Sequence, residues 1–321
     1  MAKRLTTIGK VLYATTIGNY IGSQSKANIK LIINENIESF LAKQRPIVWN
    51  ENISFMLATA KGLSEGFSDQ TVMRNYSDWW RKGEFSLDGK IDVKKHANDI
   101  QSILNYELTR STENIGAVKA DKNDSSGLFK VIPAAVIAYS TAKSENILND
   151  DIMNDIHSLL SLSYNYPRAI IVAGTFSFLI ANIISGKNIV ESLDQSIMYA
   201  YEFYSRRVMF QIDLRILNEI NVPDFSSLKL SKIPNNNSAI SLLERLYWIL
   251  YKELSLEKSI ELAVNDFNSN KSDLISLIYL IFGLRKRNNI NDDLIDYLDS
   301  QTDIVNDLYK VVNKSSKYII K

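Results

Sequence analysis

Apolar residues recur along most of this chain at the spacing of one face of an α-helix. Between residues 27 and 42, Ile29, Ile32 and Ile33 fall on one side of such a helix, whereas Lys30 and Glu38 fall on the other. No segment shows the two-residue alternation with turn signals that is typical of a sheet. The pattern predicts about a dozen helices and an all-α fold. The same period marks residues 91–108, 151–162, 189–210, 239–254, 256–267 and 303–320.

Two stretches interrupt the helical pattern. Residues 111–127 are rich in Ser, Asn, Asp and Lys, and residues 221–238 carry Pro223, Pro234 and three consecutive asparagines. Both are predicted to be surface loops, and long loops in a compact domain often bind ligands or partners. The second stretch could also be a domain boundary. We interpret residues 1–321 as a single domain, because the apolar residues within that stretch favour packing.

The charge of the chain is nearly balanced. Its 37 Lys and Arg residues offset 36 Asp and Glu residues, so no global basic field attracts nucleic acid or an anionic membrane. The absence of cysteine from the sequence excludes disulfides, thiolate zinc sites and cysteine nucleophiles. Residues 169–184 and 274–284, the most apolar stretches, are interrupted by polar or small residues or are too short for a bilayer. We expect a soluble, cytoplasmic protein without a signal peptide.

The sequence contains two histidines, His96 and His157. Each falls within a predicted amphipathic helix, and no acid or nucleophile is expected beside it, so mechanisms centred on histidine are disfavoured. Gly18 and Gly22 are too widely spaced for a dinucleotide-binding loop.

Short motifs that combine small, acidic and amide residues follow one another from residue 10 to near residue 285. They are Gly18-Asn19-Tyr20-Ile21-Gly22, Ser68-Asp69-Gln70-Thr71, the segment from Ser126-Gly127 to Pro133, Ser163-Tyr164-Asn165-Tyr166-Pro167, and Ser272-Asp273 ahead of an apolar run. Together they resemble the ADP-ribosylglycohydrolase family, which includes the dinitrogenase reductase-activating glycohydrolases. The corresponding family motifs are Gly-Asp-Ala-Leu-Gly, Thr-Asp-Asp-Thr, Asn-Gly-Ala-Ala-Met-Arg-Val-Ala-Pro, Thr-His-x-His-Pro and Gly-Asp-x-Asp-Thr. The resemblance covers most of the chain.

This resemblance implies a compact orthogonal helical bundle whose central cleft holds two Mg²⁺ ions and cleaves a glycosidic bond of an ADP-ribosylated side chain. Carried over residue by residue, it implies a ligand cleft lined by Asn19, Ser126, Gly127 and Tyr164. The family's metal ligands that this chain retains are Ser68, Asp69 and Asp273, and the resemblance also places Asp69 in the catalytic position.

Several side chains of the family motifs are replaced in this chain. Gln70 replaces the second Asp of Thr-Asp-Asp-Thr, Lys271 falls on one Asp of the C-terminal motif, and Asn19 falls on the Asp of the first motif. Lys26 stands where the family has a Glu, and Tyr164 replaces the active-site His. The family supplies roughly four carboxylates to two dications and this chain about two, so we expect the binuclear site to be lost. At most one weakly bound Mg²⁺ is expected.

Helix geometry offers a second interpretation of the same acidic residues. Ser68-Asp69 and Ser272-Asp273 are also good helix starts, with Ser as N-cap and Asp in the first turn against the helix dipole. On that interpretation, the loss of either carboxylate costs only about 0.3–1 kcal/mol.

Two functions of different classes fit this pattern. The first is a binding protein, because some bacterial ADP-ribosyltransferase toxins are accompanied by immunity proteins of this fold that plug the toxin's NAD site or reverse its modification. The second is a working hydrolase with few metal ligands, which uses Asp69 as metal ligand or general base and removes ADP-ribose from a modified target. We favour the first, since a fold survives the loss of a site more easily than the chemistry survives the loss of its ligands.

Occlusion of a partner would act through exposed residues. Trp79 and Trp80 cannot both face the interior from one helix, so one of them is predicted to lie near the cleft rim or on a partner surface. The loops 111–127 and 221–238 are the other predicted partner contacts.

Overall fold

The computed structural model describes residues 7–34, 48–66, 68–86, 91–141, 147–267 and 270–285. These ranges contain twelve α-helices, four short 3₁₀ helices and no strand, which confirms the predicted all-α fold. In chain order, the α-helices α1 to α12 are Thr7–Ser23, Lys26–Asn34, Glu51–Ser64, Asp69–Lys82, Ala97–Thr109, Ser126–Thr141, Asp150–Ser161, Pro167–Ile184, Ile189–Ser205, Ala239–Leu250, Leu256–Asp266 and Lys271–Leu284. The 3₁₀ helices are Val208–Phe210, Asp213–Glu219, Phe225–Ser227 and Leu230–Lys232.

Helices α6 and α8 form the centre of the bundle. Helix α6 packs against α3, α7 and α8, and α8 also packs against α7, α9 and α10. Both helices are apolar on almost every side, as expected for helices that neighbours surround. Helix α8 is long and apolar enough to cross a membrane, but 83% of it is buried inside the bundle, as in the core helix of a soluble protein.

Helices α1 and α12 make the most extensive helix contact in the described ranges. Two glycines of α1 permit this contact. A Cβ atom on Gly18 would lie 2.7 Å from the carbonyl oxygen of Ile275, and one on Gly22 would lie 2.5 Å from the Cα atom of Ser272. The two glycines of the first motif therefore allow α1 to approach the N-terminal half of α12, where Asp273 lies.

Helix boundaries follow the hydrophobic period except where polar groups end a helix. The helix predicted over 91–108 begins only at Ala97, because the Asp92 side chain accepts hydrogen bonds from the amides of Lys94 and Lys95 and forms a turn. His96 is therefore the residue before α5, not a residue inside a helix. Helices α9 and α10 end a few residues earlier than predicted. The helix predicted over 303–320 and the second half of 27–42 lie outside the described residues.

The two predicted helix starts with Ser-Asp pairs have different outcomes. Ser68 caps α4 as predicted: its hydroxyl accepts a hydrogen bond from the amide of Thr71 at 3.1 Å, and Asp69 lies in the first turn. The prediction that Ser272 caps α12 is wrong. Helix α12 begins at Lys271, two residues earlier than predicted, after Asn270, whose backbone is left-handed.

The two predicted loops are confirmed with small changes. Residues 110–125 contain no helix, and Ser126 and Gly127 belong to α6. The first loop is held by Ala117, whose amide donates to Ser163 at 2.9 Å and whose carbonyl accepts from the Asn165 amide at 2.7 Å. The loop 221–238 contains two 3₁₀ turns and buries apolar side chains, so it packs onto the bundle.

We expect Gly18→Ala and Gly22→Ala to destabilise the protein, because each added methyl group collides with the backbone of α12. The loss in the free energy of unfolding should be about 1–3 kcal/mol for each variant, measured by urea unfolding. Lys10→Ala, on the exposed face of α1, is the control and should stay within about 0.5 kcal/mol of wild type. Equal stability of the Gly18→Ala and Lys10→Ala variants would contradict the close packing.

Candidate functional site

The candidate site lies where the N-termini of α3 and α12 meet. Asp273, in the first turn of α12, is fully buried. Its Oδ1 accepts a hydrogen bond from the side-chain amide of Asn50 at 2.6 Å, and its Oδ2 accepts one from that of Asn52 at 2.9 Å. Lys95 adds an ion pair, with Nζ 3.3 Å from Oδ2. These four residues are called the Asp273 cluster below.

Local structure directs the amide groups toward Asp273. Asn50 is the N-cap of α3, and its side-chain oxygen accepts from the backbone amides of Asn52 and Ile53. Because the cap uses that oxygen, the NH₂ group of Asn50 is left to donate to Asp273. The backbone amide of Asn50 donates to Oδ1 of Asn19 at 3.0 Å, which connects the first motif to the cluster.

The charges of the Asp273 cluster balance within the protein. Burial alone would lower the pKa of Lys95, but the carboxylate of Asp273 more than offsets this effect and raises it. Lys95 is therefore an ammonium at neutral pH, and it neutralises Asp273 while the two asparagine amides supply hydrogen bonds.

A cavity of about 250 Å³ lies beside the Asp273 cluster. Its lining is Asn19, Ser23, Val48, Trp49, Asn50, Glu51 and Ser272. Asn19, a predicted ligand-cleft residue, therefore reaches a cavity. Its Nδ2 atom is buried and has no hydrogen-bond partner among the described residues.

Glu51 is the carboxylate on this cavity, and protein groups already engage it. Oε1 accepts a hydrogen bond from the backbone amide of Asp92 at 2.6 Å, and Oε2 lies 3.7 Å from Nε2 of His96. Burial alone would raise the pKa of Glu51, but these two partners lower it to about 2. Glu51 is thus ionised and paired at neutral pH.

His96 is fully buried between two carboxylates. Its Nδ1 atom lies 3.0 Å from Oδ2 of Asp99, and Glu51 lies on the other side of the ring. The prediction that no acid lies beside His96 is therefore wrong. Burial alone would lower the pKa of His96, but the two carboxylates raise it. The spacing from His96 to Asp99 along the sequence could have indicated this contact, whereas Glu51 comes from a different helix.

Asp99 is the centre of a second buried group, called the Asp99 cluster, with Ser126, Lys130, Ser163 and Tyr164. Nζ of Lys130 lies 2.5 Å from Oδ1 of Asp99 and 2.5 Å from the Ser163 hydroxyl. The hydroxyls of Ser126 and Tyr164 lie 3.0 and 3.1 Å from Oδ2. Burial alone would raise the pKa of Asp99, but Lys130 and His96 hold it well below its usual range.

The predicted ligand-cleft residues Ser126, Gly127 and Tyr164 are buried in the interior of the bundle. Ser126 and Tyr164 are fully buried and their hydroxyls lie 2.9 Å apart. A Cβ atom on Gly127 would lie 2.7 Å from a methyl carbon of Leu160, so this glycine permits contact between α6 and α7. Gly127 therefore serves helix packing, whereas Ser126 and Tyr164 belong to the Asp99 cluster.

Hydrogen bonds join the first long loop, residues 110–125, to the end of the second, residues 221–238, and to the start of α10. The carboxylate of Asp124 accepts hydrogen bonds from the Tyr166 hydroxyl at 2.5 Å and from the backbone amide of Ala239, the first residue of α10, at 2.6 Å. Asn237 donates to Asn123 at 3.4 Å, and the carbonyl of Asn123 accepts from Tyr164 at 3.3 Å. Burial raises the pKa of Asp124 to about 6.

Ser68 and Asp69 lie in a different hydrogen-bonded group from Asp273. Oδ2 of Asp69 accepts a hydrogen bond from Ser158 of α7 at 2.6 Å, and Ser68 bonds to Thr71. Among the described residues, Asp69 and Asp273 share no hydrogen-bond partner. The structure therefore places Ser68 and Asp69 in one hydrogen-bonded group and Asp273 in another.

The sequence motifs missed the residues that surround Asp273. These residues are Asn50 and Asn52, at the start of α3, and Lys95. The feature of the sequence that could have indicated this helix start is Asn50, an asparagine in the N-cap position directly before an apolar helix.

The two tryptophans of α4 occupy different environments. Trp79 is fully buried and packs against Phe55, with ring centroids 4.5 Å apart. Trp80 is half-buried, so of the two it is the one closer to the surface. Trp79 cannot contact a partner without rearrangement, which leaves Trp80 as the candidate of the pair.

Comparison with known proteins defines the class of fold. No family model and no curated protein matches the sequence. Among solved structures, the chain has the fold of an ADP-ribosylglycohydrolase, which confirms for the fold the resemblance seen in the motifs. One of the matching structures is described as an ADP-ribosylglycohydrolase-related protein complex. It is similar with a TM-score of 0.65 and 14% identity, over 96% of this chain and 98% of that one.

We expect Asp273→Ala to lower the free energy of unfolding by about 3–5 kcal/mol, because it leaves Lys95 and two amides without their shared acceptor. Asp69→Ala, which removes a half-buried carboxylate with one hydrogen bond, should cost about 1 kcal/mol. Urea unfolding measures both. The small loss in the free energy of unfolding that the helix-start interpretation predicts for both residues is therefore expected for Asp69 alone. Equal losses for the two variants would contradict the role of the Asp273 cluster.

Proposed function

We propose that this chain is a catalytically degenerate protein of the ADP-ribosylglycohydrolase fold that acts by binding. It serves as an immunity protein in the bacterial cytoplasm and neutralises an ADP-ribosyltransferase toxin by occluding it. The observation that carries the proposal is the Asp273 cluster, in which an ammonium and two amides surround the carboxylate. The link to a toxin rests on the family resemblance.

The donors around Asp273 do not fit two magnesium ions. Mg²⁺ takes hard oxygen ligands in an octahedral arrangement, and a pair of such ions needs several carboxylates. Both oxygens of Asp273 already accept from protein donors, and Lys95 lies 3.3 Å from one of them. A dication about 4 Å from that ammonium would be repelled by about 8 kcal/mol at an effective dielectric constant of about 20. The protein therefore works with no metal, or with one weakly held ion.

The carboxylates outside this cluster are also poorly placed for hydrolysis. Glu51 is ionised and paired with His96, and Asp99 is enclosed by Lys130 and the hydroxyls around it. Neither Asp69 nor Asp99 lines the cavity next to Asp273. A general acid or base must come within hydrogen-bond reach of the substrate, so these positions disfavour a hydrolytic mechanism.

Purified wild-type protein is expected to bind at most one Mn²⁺ or Mg²⁺, and weakly, in titration calorimetry. The double variant Lys95→Ala with Asn52→Asp should bind Mn²⁺ more tightly than wild type, because it removes the ammonium and adds a carboxylate beside Asp273. Circular dichroism is the control for folding of the variant. Two tightly held ions in the wild-type protein would contradict the proposal.

The proposed mode of action predicts a stoichiometric effect that precedes modification. In a purified assay of an ADP-ribosyltransferase encoded beside this chain's gene, wild-type protein should stop the reaction at about one molecule per transferase. Asp69→Asn, which keeps a side-chain oxygen to accept from Ser158, should act equally. Neither protein should remove ADP-ribose from a target that was modified before the transferase was withdrawn.

Two results would overturn this function. Removal of ADP-ribose by a catalytic amount of wild-type protein, lost in Asp69→Asn, would establish the alternative, a metal-poor hydrolase. The absence of any effect of the wild-type protein on the transferase would reject the immunity function itself.

A further inference from the structure

Three large apolar side chains project into solvent from one short segment. Val208 is 82% exposed, Met209 65% and Ile212 79%, and all three follow the end of α9. The other exposed apolar residues in the described ranges lie singly on separate elements, apart from Leu104 and Leu108 on α5, and single ones are normal for a protein surface. Three within five residues form a local apolar projection, and such concentrations mark interaction sites. Residues 208–212 are called the apolar projection below.

The apolar projection is held in a fixed conformation. Phe210 points inward and packs edge-on against Tyr204, with ring centroids 4.9 Å apart. Arg207 is the residue directly before the apolar projection. Its guanidinium group lies 3.6 Å from the ring centroid of Phe203 and donates a hydrogen bond to Asp150 at 2.6 Å. A rigid projection loses little conformational entropy on binding, so its exposed side chains are prepared to act as anchors.

Charged residues of both signs surround the apolar projection. Arg206 pairs with Glu202, and Asp213, next to Ile212, accepts from Arg168 at 2.9 Å. Arg215 is exposed on the following 3₁₀ helix. An apolar centre inside a polar rim rich in arginine is the composition of a protein-binding hot spot. The acidic members of this rim would repel an anionic membrane, which favours a protein partner over a lipid surface.

We propose that the apolar projection is the anchor with which this chain binds a folded protein that offers an apolar depression edged by carboxylates. The carboxylates would meet the guanidinium group of Arg215 and, by exchange with Glu202, that of Arg206 at the rim. This inference rests on the proposed function, in that the partner is the ADP-ribosyltransferase that the chain neutralises. It moves the interface away from Trp79 and from the loops that the sequence indicated.

The test compares binding of wild type and a triple variant, Val208→Ser with Met209→Ser and Ile212→Ser, to the same transferase by titration calorimetry. Because the three side chains are exposed, the variant should fold with an unchanged melting temperature. We expect its Kd to rise at least about 100-fold, as for loss of hot-spot anchors. The matched control is Leu108→Ser, which alters a side chain that is 85% exposed on α5, and its Kd should not change.

A second variant tests the rim without altering the apolar centre. Arg206→Glu with Arg215→Glu should slow association with the transferase and reduce its dependence on salt, since like charges would then face the carboxylates of the partner. Faster association of this variant would contradict the stated chemistry of the partner.

The outcomes separate the two proposals. Failure of the wild-type protein to bind or inhibit the transferase would reject the proposed function and this inference together. Binding of the triple variant with wild-type affinity would reject the inference alone, and loss of binding in Val118→Asp instead would place the interface on the first loop. Two other outcomes would overturn the inference. Light scattering would show whether the projection joins two copies of this chain, and sedimentation with phosphatidylglycerol vesicles would show whether it binds a membrane.

Discussion

The buried carboxylate of Asp273 must be neutralised, and this constraint determines the arrangement of the candidate site. An unpaired carboxylate in a protein interior costs several kcal/mol, so it is tolerated only where a cation and hydrogen-bond donors meet it. The family resemblance implies metal ions in this role, whereas here Lys95 supplies the charge and Asn50 and Asn52 supply the donors. The turn at Asp92 and the cap at Asn50 bring those groups to it.

The same rule governs the Asp99 cluster, which lies next to the first. Lys130 and His96 compensate the charge of Asp99, and His96 also faces Glu51 at the start of α3. The two clusters therefore form one continuous polar layer that connects α3, α5, α6 and α12. Loss of one member leaves another charge without its partner, so the layer acts as a structural unit even where no reaction takes place.

Much of the fold could be predicted from the sequence, because helix formation follows from local periodicity and caps. The Ser68 cap and the buried apolar helices are examples. The site could not be predicted in the same way, since His96 meets Glu51 only through tertiary contact and Asn50 approaches Asp273 from 223 residues away in the sequence. The apolar period assigned residues 189–210 to one helix, although Val208 and Met209 lie outside α9.

The charge of Asp273 is compensated by groups of the same chain, so this buried carboxylate is not available to bind a partner. Lys95, Asn50 and Asn52 compensate the carboxylate of Asp273 from within the chain, at the point where the starts of α3 and α12 meet. Free energy for binding a partner then has to come from groups that the fold leaves unsatisfied. Among the described residues, exposed apolar side chains at Val208 and Ile212 are such groups, whereas the buried carboxylates are not. Under the proposed binding function, the surface would supply the contacts with a partner, and the buried polar clusters would supply the folded framework that presents it.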